Sequence, residues 1–136
     1  MADYIVTPAS VLASSRATKS TGVAGVAIIA GQVLAKDSDG TFKLHDANGT
    51  APLNVVAGIA LHASSTGQPI SYCKADPAFV PGFTIAVGVP VVASATPGGM
   101  CPDTDKASGW NLTSLGRGIS GNKLKLEIDP LGEVLP

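Results

Sequence analysis

An all-β fold, a single small β-barrel or jelly-roll-like β-sandwich, is predicted by three observations. The 16 Gly and 10 Pro are scattered rather than periodic, which breaks the chain into short strands and turns and disfavours long helices. Residues 123–128 alternate, with Leu124, Leu126 and Ile128 on one face and Lys123, Lys125 and Glu127 on the other, the pattern of a half-buried strand. The apolar residues are Ala, Val, Ile and Leu, with only 4% aromatics, so the core is built from small side chains. A chain of 136 residues supports one such core and is too short for two ordinary domains.

The chain is organised around residues 55–72, VVAGIALHASSTGQPISY, where two apolar strands flank a turn at Gly67, Gln68 and Pro69. Ahead of it, residues 1–21 read as an extended N-terminal arm, rich in Ser, Thr and Ala. Tyr4, Ile5, Val6, Val11 and Leu12 give that arm apolar surface to bury, either as a loose terminus or on a neighbouring subunit. Residues 22–34 form a strand, a Gly turn and the start of a second strand. Asp39 and Gly40 make a hairpin turn, and Phe42 and Leu44 lie on the next strand. Residues 74–82, with two prolines, read as a linker. Residues 84–93 repeat the strand–Gly–strand form, and Pro97, Gly98 and Gly99 turn the chain. Residues 111–115 form a short strand. The β domain spans residues 22–128, and residues 129–136 form an extended C-terminal tail.

Two similar halves, residues 22–73 and 83–128, are suggested by order. Residues 28–34 match 85–91, and Val56, Ala57, Gly58 and Ile59 match Ser114, Leu115, Gly116 and Arg117. Each half closes with an alternating strand. Shared β-hairpin grammar is the alternative origin of the match.

Composition narrows function. Charged residues make up 14% and the net charge is −1, with no basic run and no Arg cluster, so no electrostatic case for nucleic acid exists. So few charges protect a free monomer poorly against association, which implies that a partner covers part of the surface. The apolar runs at 22–31 and 79–95 are too short or too broken by Pro and Gly to span a bilayer, and the N-terminus lacks the pattern of a signal peptide. Cys73 and Cys101 lie far apart without CxxC spacing; a disulfide between them is an alternative, and two ordinary thiols in a reducing cytoplasm are the favoured reading.

No reactive constellation stands out, and the chain is read as a non-enzyme without cofactor or metal. His45 and His62 lack metal-ligand spacing, Asp37 and Asp39 with Gly40 are explained by a hairpin turn, and no nucleophile elbow or phosphate-binding glycine pattern occurs. Trp110, the one tryptophan, reads either as an interface anchor or as a cover over one end of the barrel. The scarcity of other large side chains favours the cover.

In order, AGQVLAKDSDGTFKLHDA, VVAGIALHASSTGQPISY, KADPAFVPGFTIAVGVPVVASATPGGMCP and SGWNLTSLGRGIS resemble the small capsid cement, or head decoration, proteins of tailed bacteriophages. They are also similar to a wider phage group known only as a domain of unknown function. The resemblance covers residues 22–128 and is carried most by DPAFVPG and SATPGG. It implies a structural protein on the virion exterior, made in the bacterial cytoplasm. Such a protein binds the major capsid protein, associates with itself as a dimer or trimer, and staples neighbouring capsomers. No catalytic residue is implied. On this reading Tyr4, Ile5, Val6 and Leu12 at one end, and Leu131, Val134 and Leu135 at the other, carry the capsid or subunit contacts, with Trp110 as a further candidate. The competing reading is a receptor- or carbohydrate-binding module displayed on a virion, such as a head fibre.

Overall fold

The computed structural model describes residues 3–134, with side chains through residue 130. The described chain is almost wholly β, a curled antiparallel half-barrel sheet without α-helix. Nine strands follow in order: β1 (Thr18–Val23), β2 (Val33–Lys36), β3 (Phe42–Leu44), β4 (Gly58–Ala60), β5 (Pro69–Phe79), β6 (Pro90–Ala93), β7 (Met100–Pro102), β8 (Asn111–Ser120) and β9 (Lys123–Val134). Two single 3₁₀ turns, Pro8–Ser10 and Asp103–Asp105, interrupt the connections.

The sheet order is β3-β2-β4-β5-β9-β8-β6-β7, with β1 on β5. That order reads the same from either end. In each half the second strand lies outermost, then the first, third and fourth, and the fourth strands, β5 and β9, join the halves. β5 is the fork. Cys73 pairs with both Lys19 of β1 and Ile59 of β4, and Ala75 pairs with both Thr18 of β1 and Glu127 of β9. A strand residue has two edges, so β1 runs along one edge of β5 while β4 and β9 follow one another along the other.

Alternation sets the packing. Val33, Ile59 and Cys73 sit opposite one another across β2, β4 and β5, and all three are fully buried in the main core with Phe79, Met100, Leu115, Leu124 and Leu126. Their chain neighbours Leu34, Ala60 and Tyr72 point to the other face, into a second cluster with Ala24, Ile28, Phe42 and Ile70. A parallel bridge between Ala24 and Phe42 brings the end of β1 onto β3, so β1, β5, β4, β2 and β3 wrap this second cluster. The Phe42 and Tyr72 rings meet inside it at 4.8 Å. This part of the sheet is therefore buried on both faces, which explains why 58–60 and 33–35 read as continuous apolar runs.

Several boundaries differ from the sequence reading, and the strand read at 111–115 runs on through the glycines to Ser120 as β8. The 74–82 linker is strand for most of its length, because β5 runs through to Phe79. Pro77 is tolerated there since the β5–β9 register slips between Asp76 and Phe79, where the ladder needs no donor from residue 77. Thr18 to Thr21, placed in the arm, belong to β1. Beyond residue 128 the backbone continues as β9, with Asp129 facing Ser114 and Val134 facing Asn111. Residues 25–32 and 84–89 carry no strand, although their apolar character suggested one.

Candidate interaction surface

The N-terminal arm is laid on its own domain rather than held away from it. Leu12 and Val80 exchange both backbone hydrogen bonds, 3.0 and 2.9 Å, at the same register as the ladder between β1 and β5. The arm thus meets the edge of β5 at Leu12 and β1 continues along it from Thr18, with a turn at residues 15–16 between them. The segment between Leu12 and Thr18 is latched by Asp76, which is 1% exposed. Ser14 N donates to Asp76 Oδ2 at 2.7 Å, Ser14 Oγ donates to Oδ1, and Ala78 N donates to Oδ1 at 2.9 Å. Burial alone would raise the Asp76 carboxyl. The hydrogen bonds from Ser14 and Ala78 outweigh it and hold the group below its ordinary value.

Farther out, Thr7 N donates to Gly82 O and Tyr4 N donates to Met100 O, each at 2.8 Å. The Tyr4 ring stacks on Phe83 with centroids 4.1 Å apart and planes 7° from parallel. Val6 lies over Gly31 and Gly82, where a Cβ would come within 2.4 and 3.0 Å of its Cγ1. Ser94 Oγ donates to Asp3 Oδ2 at 2.9 Å, tying the start of the described chain to the end of β6.

These contacts sort the candidate residues. Tyr4 and Val6 are half-buried against their own domain. Trp110 is 8% exposed and packs with Ala47, Val92, Cys101 and Leu112, so it covers a third small core instead of standing free. Ile5 and Leu12 point outward, at 89% and 65% exposure. Val23, on the same edge strand, is also exposed. For Leu131 and Val134 the backbone lies in β9 and the side chains fall outside the described residues; Leu135 lies outside them altogether.

Two open grooves border the arm and β1. One, about 410 Å³, is lined by Ile5, Thr7, Ser10, Val80, Phe83 and Asn122. The other, about 650 Å³, is lined by Lys19, Thr21, Leu61, His62 and Ser71. In the second, Ser71 N donates to His62 Nε2 at 3.0 Å, so the imidazole side chain extends the β4–β5 ladder by one acceptor.

The remaining titratable groups are held for structure. His45 is fully buried, neither ring nitrogen makes a hydrogen bond of ordinary geometry, and burial depresses its basicity although the Asn54 backbone lies nearby. Cys73 and Cys101 are free and buried, with thiols pushed up by burial to about 11 and about 12, so neither is a thiolate at neutral pH. Asp37 and Asp39 are engaged by Ser38, Thr41 and Lys43 within their turn. Among the described residues no group of three His, Cys, Asp or Glu side chains is arranged to hold a metal ion, and no helix is long and apolar enough to cross a membrane.

Sequence reasoning missed the Ser14–Asp76 latch, because Asp76 falls in the segment read as a linker. The signal available was a lone acid between apolar residues 75 and 78–80, which a buried strand would have to satisfy. No protein-family model matches the chain, and no curated protein is significantly similar to it.

Proposed function

We propose that this chain is a structural virion protein that binds the outer surface of a phage capsid and cements neighbouring major capsid protein subunits, acting as a dimer or trimer of itself. The observation that carries the reading is the arm laid along the edge of β5 that β1 also occupies, where Ile5 and Leu12 of the arm and Val23 of β1 leave apolar side chains exposed. Burying such side chains on a partner is worth about 1.5–3 kcal/mol each when complete. Repetition over a symmetric shell multiplies modest single contacts through avidity.

The carbohydrate-binding alternative requires exposed aromatic platforms. Phe42, Tyr72, Phe79 and Trp110 are buried, which leaves only the half-buried Tyr4–Phe83 stack at the surface. Co-sedimentation with purified phage heads, before and after expansion, tests the proposal. Saturable binding to expanded heads at a fixed ratio to capsid protein is expected. Absence of binding to both forms would overturn it.

A further inference from the structure

We infer that the outer face of β8 and β9 is a docking face for an acidic protein surface. Arg117 and Lys125 stand directly opposite in the β8–β9 ladder. Directly opposed residues share a face, and Leu124 and Leu126 on either side of Lys125 are buried, so both cations point to solvent. Lys123 projects from the same face of β9, two residues before Lys125, and is also exposed. Arg16 and Lys125 also line a groove of about 220 Å³, where Asp76 and Glu127 balance them, so the unbalanced charge of the face lies at Arg117 and Lys123. Glu127, the acid nearest to this strip, lies 3.5 Å from Lys125 and offsets its charge, while both groups are more than half exposed and the pair adds little stability. Neither Arg117 nor Lys123 has an ion-pair partner among the described residues.

Two cations directly opposed across a ladder destabilise a sheet. On a protein of net charge −1 this local concentration is conspicuous, and an anionic partner would convert it from repulsion to attraction. Beside the cations stand Ile119, 40% exposed, and Val87, 72% exposed, on a loop joined to β8 through the hydrogen bond from Gly88 N to Gly118 O at 2.7 Å. Apolar side chains next to a few cations suit a protein surface bearing carboxylates and apolar residues. Phosphate backbone offers nothing to Val87 and Ile119, and a duplex would draw on a broader basic field. That the acidic surface belongs to a capsid rests on the function proposed above; the chemistry of the face does not.

Arg117→Glu is the informative variant, because it turns the opposed pair with Lys125 into an attractive one and so leaves the fold intact. Anisotropy would be measured with a fluorescein-labelled Glu- and Leu-rich peptide, with a short DNA duplex in parallel. The expected result is binding of the peptide by the wild type, weakened about tenfold by Arg117→Glu and by raising salt from about 0.05 to about 0.5 M. The thermal midpoint of the variant should equal or exceed that of the wild type. No peptide binding, equal binding by wild type and variant, or a preference for DNA overturns the inference. Adding Arg117→Glu to the head co-sedimentation separates the two readings. If the wild type fails to sediment with heads, the capsid function falls while the peptide result still judges the face.

Discussion

Gly58 and Gly116 hold equivalent places in the two halves of the sheet. Gly58 faces Leu34, the second residue of β2, and Gly116 faces Val91, the second residue of β6. A Cβ on either would meet the backbone of the last strand of its own half, 2.7 Å from Cys73 O for Gly58 and 1.8 Å from Lys125 O for Gly116. Together with the palindromic strand order, this places the same close strand-to-strand approach at matched points of the chain.

The two sites differ in severity, which makes them a graded test. Gly116 also has φ +125°, a conformation in which an L residue is strained, whereas Gly58 carries no such constraint and one of its close contacts is the Tyr72 ring, at 2.6 Å from Cδ2. Gly116→Ala should cost on the order of 3 kcal/mol or more, and Gly58→Ala less, about 1–3 kcal/mol, since a side chain yields more readily than a ladder. Urea midpoints of the two variants decide the order. A Gly116→Ala protein as stable as wild type would contradict the close approach.

Much of this was legible beforehand. The alternation at 123–128 located β9. What escaped was long-range. Pro77 and its neighbours look like a linker locally, and only the register slip between β5 and β9 lets a proline sit inside a strand. The inward turn of Tyr4 and Val6 depends on Phe83, Gly31 and Gly82, which local pattern cannot bring together. Nor does any one-strand pattern show that β8 and β9 bring Arg117 opposite Lys125.

The latch on the arm should fail in acid. The folded-state carboxyl of Asp76 lies below its ordinary 3.8. Its contribution is therefore fully present above about pH 4 and is lost as pH falls through the depressed folded value. Hydrogen exchange at the Leu12 and Val80 amides, which bond to each other's carbonyls, should quicken relative to core amides such as Ile59 below that point. Ser14→Ala should produce the same local loosening at neutral pH, at a cost of about 1–3 kcal/mol, because a buried carboxylate loses a charge-assisted partner.

The thiols should be silent in the native protein. With Cys73 and Cys101 pushed up to about 11 and about 12 and both buried, Ellman's reagent should react at the rate of unfolding, or not at all on the timescale of an exposed thiol. Two equivalents should titrate promptly in denaturant. Rapid reaction of either cysteine under native conditions would show that the core around β5 or β7 opens locally.

His45 makes the opposite of a stabilising polar contact. Its ring is fully buried and makes no hydrogen bond of ordinary geometry, with the Asn54 backbone its nearest polar neighbour, while its backbone N–H donates to Val33 O at 2.9 Å and its carbonyl accepts from Gly98 N at 2.8 Å, so the main chain holds the segment in place. Burial lowers the basicity of the folded-state imidazole below the ordinary 6.5. The unfolded chain therefore binds a proton first as pH falls, and stability declines from about pH 6.5 down to the lowered folded value, by at most about 1.4 kcal/mol per pH unit. His45→Leu keeps both backbone bonds, removes a buried imidazole whose polar partners are poor in geometry and abolishes that slope. It should be neutral or stabilising at about pH 8, and its advantage should grow between about pH 6.5 and 5.5. Urea midpoints of the two proteins across that range test this. A midpoint for His45→Leu that falls in parallel with the wild type would mean that the pH dependence arises elsewhere in the chain.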